Sequence, residues 1–333
     1  MQHTDPMPTV MTVPAWQLPL SEVEFTNTAT LLSPSHNENI FEFPQHPFNL
    51  PDLVSRQPLH IDSATNLHTR VNYCVRRLSL IPNVFALSGQ TMFIHRQSFQ
   101  TYQSPALQQA MSACALYCTR TPATNVLVHQ VLQRNVQHLL STTDSTSCST
   151  PDLVAALQAL LLYQLMRLFD GDIRLRAAAE DNEITTILWA SELRTRACAL
   201  SLPLYPVATL TNPEDWHEWL FNEGIRRTVV TTFLLCGGYN YLKTGSDSPT
   251  VVGVYFTAQG ALWNAQSEVS WNRAKEESLE LQVMVNEWDE VMAMATPGDL
   301  EELGVLVMSM LWGLQSTQSW LGYDYSTKYG LEG

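Results

Sequence analysis

Between Thr150 and Phe169 apolar residues occupy almost every face of a would-be helix, with Leu153, Val154, Leu157, Leu160, Leu161, Leu165 and Leu168 among them. The run is too long for a strand. It also opens like a helix. Thr150 is a hydroxyl residue, Pro151 has no N–H to leave unpaired in the first turn, and Asp152 sits at the positive end of the macrodipole. A helix that is apolar all round must be enclosed by other helices. The chain therefore has to supply a shell of amphipathic helices around this segment.

The sequence offers such a shell. Val71, Cys74, Val75 and Leu78 recur at helical spacing until Pro82. Ser104-Pro105 opens a second helix with Leu107, Ala110, Met111, Cys114 and Leu116 as its stripe. A third runs from Asn125 to Leu140, and the Ser/Thr stretch Ser141–Thr150 then reads as a flexible connection. Glu183–Leu200 is amphipathic, and Pro203 and Pro206 break the chain after it. Asn212-Pro213-Glu214-Asp215 restarts a helix that Gly237-Gly238 is expected to end near Cys236. Residues 239–258 read as loop, with one short extended segment at Val251–Val254. Helices are expected to resume near Leu262 and Leu279, and a last one to span Asp299–Leu321 after Pro297-Gly298. No strand pair and no βαβ alternation is legible, so the expected fold class is all-α.

Residues 1–66 differ from the remainder. They hold nine of the 18 prolines, and one Arg stands against seven acids. They read as a partly disordered, Pro-rich extension ahead of a helical domain over 67–325. Within it Phe41 and Phe43 of Glu38-Asn39-Ile40-Phe41-Glu42-Phe43 are expected to anchor the extension on the domain, or to bind a partner as a short amphipathic segment.

Charge excludes some functions. The 333 residues carry 18 Lys and Arg against 32 Asp and Glu, a net charge of −14. Gripping duplex DNA needs a basic face that replaces condensed counterions. The densest basic groupings, Arg76-Arg77, Arg174 with Arg176, Arg194 with Arg196 and Arg226-Arg227, each lie near carboxylates and read as ion pairs on solvated helix faces. No direct, specific DNA binding is expected, and no attraction to anionic membranes. No run reaches the ~20 apolar residues of a membrane span, and Met1–Pro19 lacks the form of a secretory signal. The six cysteines fall mostly in helical runs and read as buried free thiols, with a redox role conceivable for Cys148 in its loop. Cys114 and Cys118 lie one helical turn apart with no second pair to complete a metal site. No metal and no cofactor is expected.

The sequence also lacks the motifs of common catalysts. It has no Gly-rich phosphate loop, no His-Glu-x-x-His and no Gly-x-Ser-x-Gly. His95 follows Phe93-Ile94 and reads as a hydrogen-bonded structural histidine. The densest polar-aromatic stretch is Asp215-Trp216-His217-Glu218-Trp219-Leu220-Phe221-Asn222-Glu223-Gly224-Ile225-Arg226-Arg227-Thr228. On a helix Trp216, Trp219 and Glu223 share a stripe, and Glu223 can pair with Arg226 or Arg227. An arginine-held carboxylate is a poor proton donor, so this is read as a structural ion-pair helix packed by tryptophans, not as a catalytic pair.

Those residues carry a family likeness. Trp216, Trp219, Glu223, Arg226, Arg227 and Thr228 match the W-x-x-W-x-x-x-E-S-x-R-R-T motif in the helical regulatory domain of fungal zinc-cluster transcription factors, with Gly224 in place of Ser. Met92-Phe93-Ile94-His95, followed by Pro105–Ala110 and Ala113–Tyr117, is similar to that family's F-I-H segment and the helix behind it. Leu262-Trp263-Asn264-Ala265 with Trp271 resembles its L-W-x-A-x-x-x-x-x-W element, without the Pro that usually precedes it. The likeness covers about residues 67–321. The family's DNA reader is a C-x2-C-x6-C…C-x2-C-x6-C cluster, whereas the first cysteine here is Cys74.

The resemblance implies a helical regulatory domain without its zinc cluster. Such a protein acts through protein partners or a small-molecule effector, in the nucleus or between nucleus and cytoplasm, within a fungal secondary-metabolite pathway. A dimer is compatible with it. His95, Trp216, Trp219, Glu223, Arg226, Arg227, Trp263 and Trp271 are the motif residues and the candidate pocket. One alternative is a helical domain repurposed as a pathway isomerase or cyclase, its pocket lined by Trp189, Trp216, Trp263, Trp271, Trp288 and Trp312. Another is a truncated gene model whose missing exon encodes the zinc cluster.

Overall fold

The fold is that of a computed structural model, which describes residues 64–98, 102–199, 215–245, 254–284 and 287–331. The extension with Glu38–Phe43, the breaks at Pro203 and Pro206, the Asn212-Pro213-Glu214 start and residues 251–253 lie outside the described residues. Among the described residues the fold is all-α. In chain order the helices are α1 (Ala64–Leu78), α2 (Ile81–Ser88), α3 (Pro105–Cys118), α4 (Asn125–Thr142), α5 (Thr150–Leu168), α6 (Ile173–Glu180), α7 (Glu183–Ala199) and α8 (Trp216–Thr244). They continue with α9 (Gly260–Trp263), α10 (Glu268–Glu277), α11 (Trp288–Met292), α12 (Glu302–Trp312) and α13 (Leu314–Lys328).

The apolar helix is α5, and it lies at the centre. Every residue from Leu153 to Leu168 is buried, and α5 packs against α2, α3, α4, α6, α7 and α8. Ser149 caps it by accepting from the Asp152 N–H. Its buried Gln158, Gln164 and Arg167 are all partnered. Arg167 donates Nη1 to Ala178 O and Nη2 to Gln164 Oε1 (3.3 and 2.8 Å), and both Nη1 and Nη2 reach Asn182 Oδ1 (3.1 Å). Ala178 and Asn182 lie at the carbonyl end of α6, where the helix dipole favours a cation. Burial lowers the Arg167 pKa to about 10.

Several elements depart from the sequence reading. Pro82 does not end a helix but sits in the first turn of α2, where its missing N–H is harmless. In α3 the buried face is Leu107, Ala110, Ala113 and Cys114, while Met111 and Leu116 face solvent. Small side chains there let α3 approach α5 closely. The Ser/Thr stretch is a held turn instead of a flexible connection. Asp144 accepts from the Thr146 N–H and from the Thr146 and Ser147 hydroxyls, and Arg196 donates to Ser145 O and Cys148 O.

Helix α8 runs straight through Gly237-Gly238 to Thr244. A Cβ at Gly238 would meet only Val71 and Val75 of α1, at 3.8 and 4.0 Å, so the glycine marks a helix–helix approach and not a stop. Gly245, with φ +68°, caps the helix by donating to Tyr241 O. A two-residue antiparallel ladder, β1 (Phe256–Thr257) with β2 (Gln282–Val283), occupies the expected loop and the region where a helix was expected near Leu279. The last helix is broken at Gly313, and the segment after it is kinked again at Gly322, where φ is +74°. Gly313 has φ +85°, and a Cβ there would fall 2.9 Å from the Arg70 guanidinium, which donates to Met310 O. The helix break thus lets α1 dock onto the end of α12.

Gly238→Ala is expected to hold or raise stability by about 0.5–1 kcal/mol, the usual helix-interior gain. Gly245→Ala is expected to lower it by about 1 kcal/mol, since alanine must then adopt a left-handed conformation. Urea unfolding followed by circular dichroism checks both, and a Gly238→Ala loss larger than the Gly245→Ala loss would contradict the α8 boundary.

Candidate functional site

The motif residues of α8 gather around two buried arginines. Glu223, Arg226 and Arg227 stand at helical spacings of three and four, so one carboxylate faces both guanidinium groups. Glu223 Oε1 accepts from Arg227 Nε at 2.7 Å, and Oε2 from Arg226 Nε at 3.0 Å. The sequence allowed either partner, and the fold uses both. None of these groups is solvated: Glu223 and Arg227 are fully buried and Arg226 is 5% exposed. This corrects the reading of Arg226-Arg227 as an exposed helix face. Contacts with Tyr255 and Thr257 cover it.

Those contacts make the site. The Thr257 N–H of β1 donates to Glu223 Oε1 at 2.8 Å, and the Thr257 hydroxyl to Oε2 at 3.2 Å. Arg227 donates Nη2 to Thr257 O at 2.5 Å, and Nη1 to Met92 O at 2.9 Å and to Glu301 Oε1 at 2.8 Å. Its guanidinium lies 4.1 Å from the Trp263 ring centre, and that of Arg226 lies 4.6 Å from the Tyr255 ring. Glu301 caps α12 through the Leu303 N–H. One side chain, Arg227, thus joins α8 to the Met92–His95 loop, β1, α9 and the start of α12.

The neighbouring groups extend the frame. The Thr228 hydroxyl donates to Gly224 O and accepts from Gln158 Nε2 of α5, which also donates to Phe93 O. Trp263 Nε1 donates to Thr91 O at 3.1 Å. His95 is buried, its ring 5.3 Å from that of Trp263, and its Nδ1 accepts from the Gln97 N–H. Burial pushes the His95 pKa down to about 4, so the ring is neutral at physiological pH. Trp216, Trp219 and Trp271 lie farther along α8 and α10. With Trp263, Leu220, Leu262, Ala265 and Ala274 they form an apolar cluster separate from the main core.

The electrostatics suit a clamp. Burial alone would raise the Glu223 pKa, but Arg226, Arg227 and the Thr257 N–H outweigh it and hold the carboxyl below its ordinary value. Glu301 has one arginine contact, and burial wins there, so its pKa is raised. Glu223 therefore has no proton to give, and the guanidinium groups have none to lose. Sequence reasoning missed Glu301, Thr257 and Gln158. Glu301 alone carried a signal, an acid at a helix start. Among the described residues no group of three or more His, Cys, Asp and Glu could hold a metal ion, and no helix is long and apolar enough to cross a membrane.

Of the six tryptophans proposed to line an enzyme pocket, Trp216, Trp263 and Trp271 share the separate cluster and the other three lie elsewhere. Trp189 and Trp288 belong to the main core, and Trp312 packs on Trp320 at the surface. Two depressions lie away from the clamp. One is a cavity of about 10 Å³ bounded by Gln164, Glu180, Glu183, Cys236 and Tyr239, and the other an open groove of about 610 Å³ between Trp312 and Trp320.

Transcription factor gsfR2 of Penicillium aethiopicum is 43% identical to this chain over 331 aligned residues, covering 92% of this chain and 79% of that protein. The chain belongs to the fungal transcription factor family. No protein-family model matches it, and no solved structure does. In this member of the family the three stretches that carried the resemblance, Met92–His95, Trp216–Thr228 and Leu262–Trp271, meet at Arg227.

Arg227→Met would leave Glu301 without its arginine and Glu223 with Arg226 alone, and is expected to cost about 3–5 kcal/mol in urea unfolding. The two acids should act with opposite sign on pH. Glu223, its pKa depressed, contributes stability above the unfolded value of about 4.3 that is lost as pH falls through its folded pKa. Glu301, its pKa raised, makes stability fall as pH rises from about 4.3 through its folded pKa. Glu301→Gln should flatten that second decline in a series of thermal melts, and an unchanged slope would show that Glu301 titrates in solvent.

Proposed function

We propose that this chain is a nuclear transcriptional regulator whose helical domain works through protein partners or a small-molecule effector, without itself gripping DNA. The observation that carries the reading is the 43% identity to a named transcription factor across 92% of the chain. Charge supports the second half of the proposal: a net −14 opposes the polyphosphate backbone. The basic pairs give further support, since Arg77, Arg174 and Arg196 each have a carboxylate within 4 Å and Arg226 and Arg227 are buried on Glu223. No cluster of free guanidinium groups is presented to a phosphate by these pairs.

The family likeness also motivates a place in a fungal secondary-metabolite pathway. Deleting the gene and profiling secreted metabolites tests that part.

Tethering the chain to a heterologous DNA-binding domain tests the regulatory reading. The fusion is expected to change reporter expression, and Glu223→Ala, which leaves Arg226 and Arg227 without their shared anion, is expected to abolish the change. The untethered chain is expected to give no salt-sensitive band shift with duplex DNA. A fusion that leaves the reporter at the level of the DNA-binding domain alone would overturn the reading, as would tight, sequence-specific binding by the untethered chain.

A further inference from the structure

The start of α8, α9 and α10 enclose the separate apolar cluster of eight residues, four of them tryptophans. Trp263 spends its indole N–H on Thr91 O. Trp216 and Trp271 do not: both Nε1 atoms are buried and neither has an acceptor. Their side chains are 5% and 3% exposed. Buried donors in folded proteins are nearly always paired, and phenylalanine would fill an apolar corner without stranding an N–H. Trp288 of the main core is orphaned as well, but among the described residues only this small cluster holds two orphaned indoles, and that pairing sets the corner apart.

The surroundings limit what it would take. The Trp219 and Trp271 rings meet at 5.5 Å, and the exposed Lys275 lays its ammonium 4.4 Å from the Trp271 ring centre. None of the eight cluster residues is charged. Flat π faces with two fixed N–H donors suit a planar ring system bearing carbonyl oxygens. The flexible stem of Lys275 can swing aside to free the Trp271 face for stacking.

We propose that this corner binds a planar aromatic carbonyl compound, with Trp216 and Trp271 donating to its oxygens. Trp263 gives the site a route to the clamp, since it belongs to the corner and also stacks on Arg227 at 4.1 Å. The regulatory consequence rests on the transcriptional reading; the binding itself does not.

Flavone serves as the carbonyl-bearing probe and naphthalene as a planar control without an acceptor. The full chain, labelled with 15N-tryptophan, is titrated with each, and the indole signals are assigned by single Trp→Phe variants. Flavone is expected to shift the Trp216 and Trp271 signals and to leave Trp288, an orphaned indole of the main core, and Trp312 in place. In Trp271→Phe the flavone Kd should weaken about tenfold, the change that one hydrogen bond carries. Naphthalene should bind more weakly than flavone. Equal affinity for the two probes, flavone shifts confined to other indoles or absent, or an unchanged Kd in a folded Trp271→Phe overturns the proposal. Should that variant not fold, the wild-type comparison of the two probes decides. A negative result leaves the tethered-reporter outcome standing, and a negative reporter leaves the binding result standing.

Discussion

A guanidinium group taken out of water must meet anions and carbonyls in fixed positions, or its burial is prohibitively costly. Arg227 is fully buried, and it meets Glu223 on its own helix, Glu301 at the head of α12, the carbonyls of Met92 and Thr257, and the face of Trp263. Each partner comes from a different segment, and each depends on the others being in place. The two carboxylates and the two arginines of the cluster balance in charge. The α9–α12 half of the domain is thereby registered against α8, and α8 against the α5 core.

That arrangement places polar contacts in the interior of the domain, with the apolar packing distributed on both sides. On one side lies the large core around α5. On the other lies the tryptophan corner, which shares Trp263 with the clamp. Trp263 lies 4.1 Å from the Arg227 guanidinium, and Arg227 in turn meets Glu301, the cap of α12.

Legibility in the sequence followed the range of the interaction. The helix that is apolar nearly all round, the Glu223–Arg226–Arg227 spacing and the three motif stretches were all readable, because helical periodicity and capping are local. Gly237-Gly238 misled because a glycine marks a stop and a close helix approach alike, and only Val71 and Val75 of α1 distinguish them. The β1–β2 ladder was invisible because two-residue strands have no periodicity, and Thr257 is held there by Glu223 as much as by its strand partner. Glu301 was missed because its partner lies 74 positions away in the chain.

By itself the sequence determined that the chain is an all-α protein built around one enclosed helix, that it resembles the fungal transcription factor regulatory domain, and that 32 acids stand against 18 Lys and Arg. Composition and short-range spacing are enough for such statements. Only the tertiary structure decided that Arg226 and Arg227 are interior rather than surface residues, that the three motif stretches share one cation, and that two of four clustered indoles are left without acceptors. Burial and partner choice are properties of segments meeting in space, and no local pattern encodes which distant carbonyl or carboxylate will arrive.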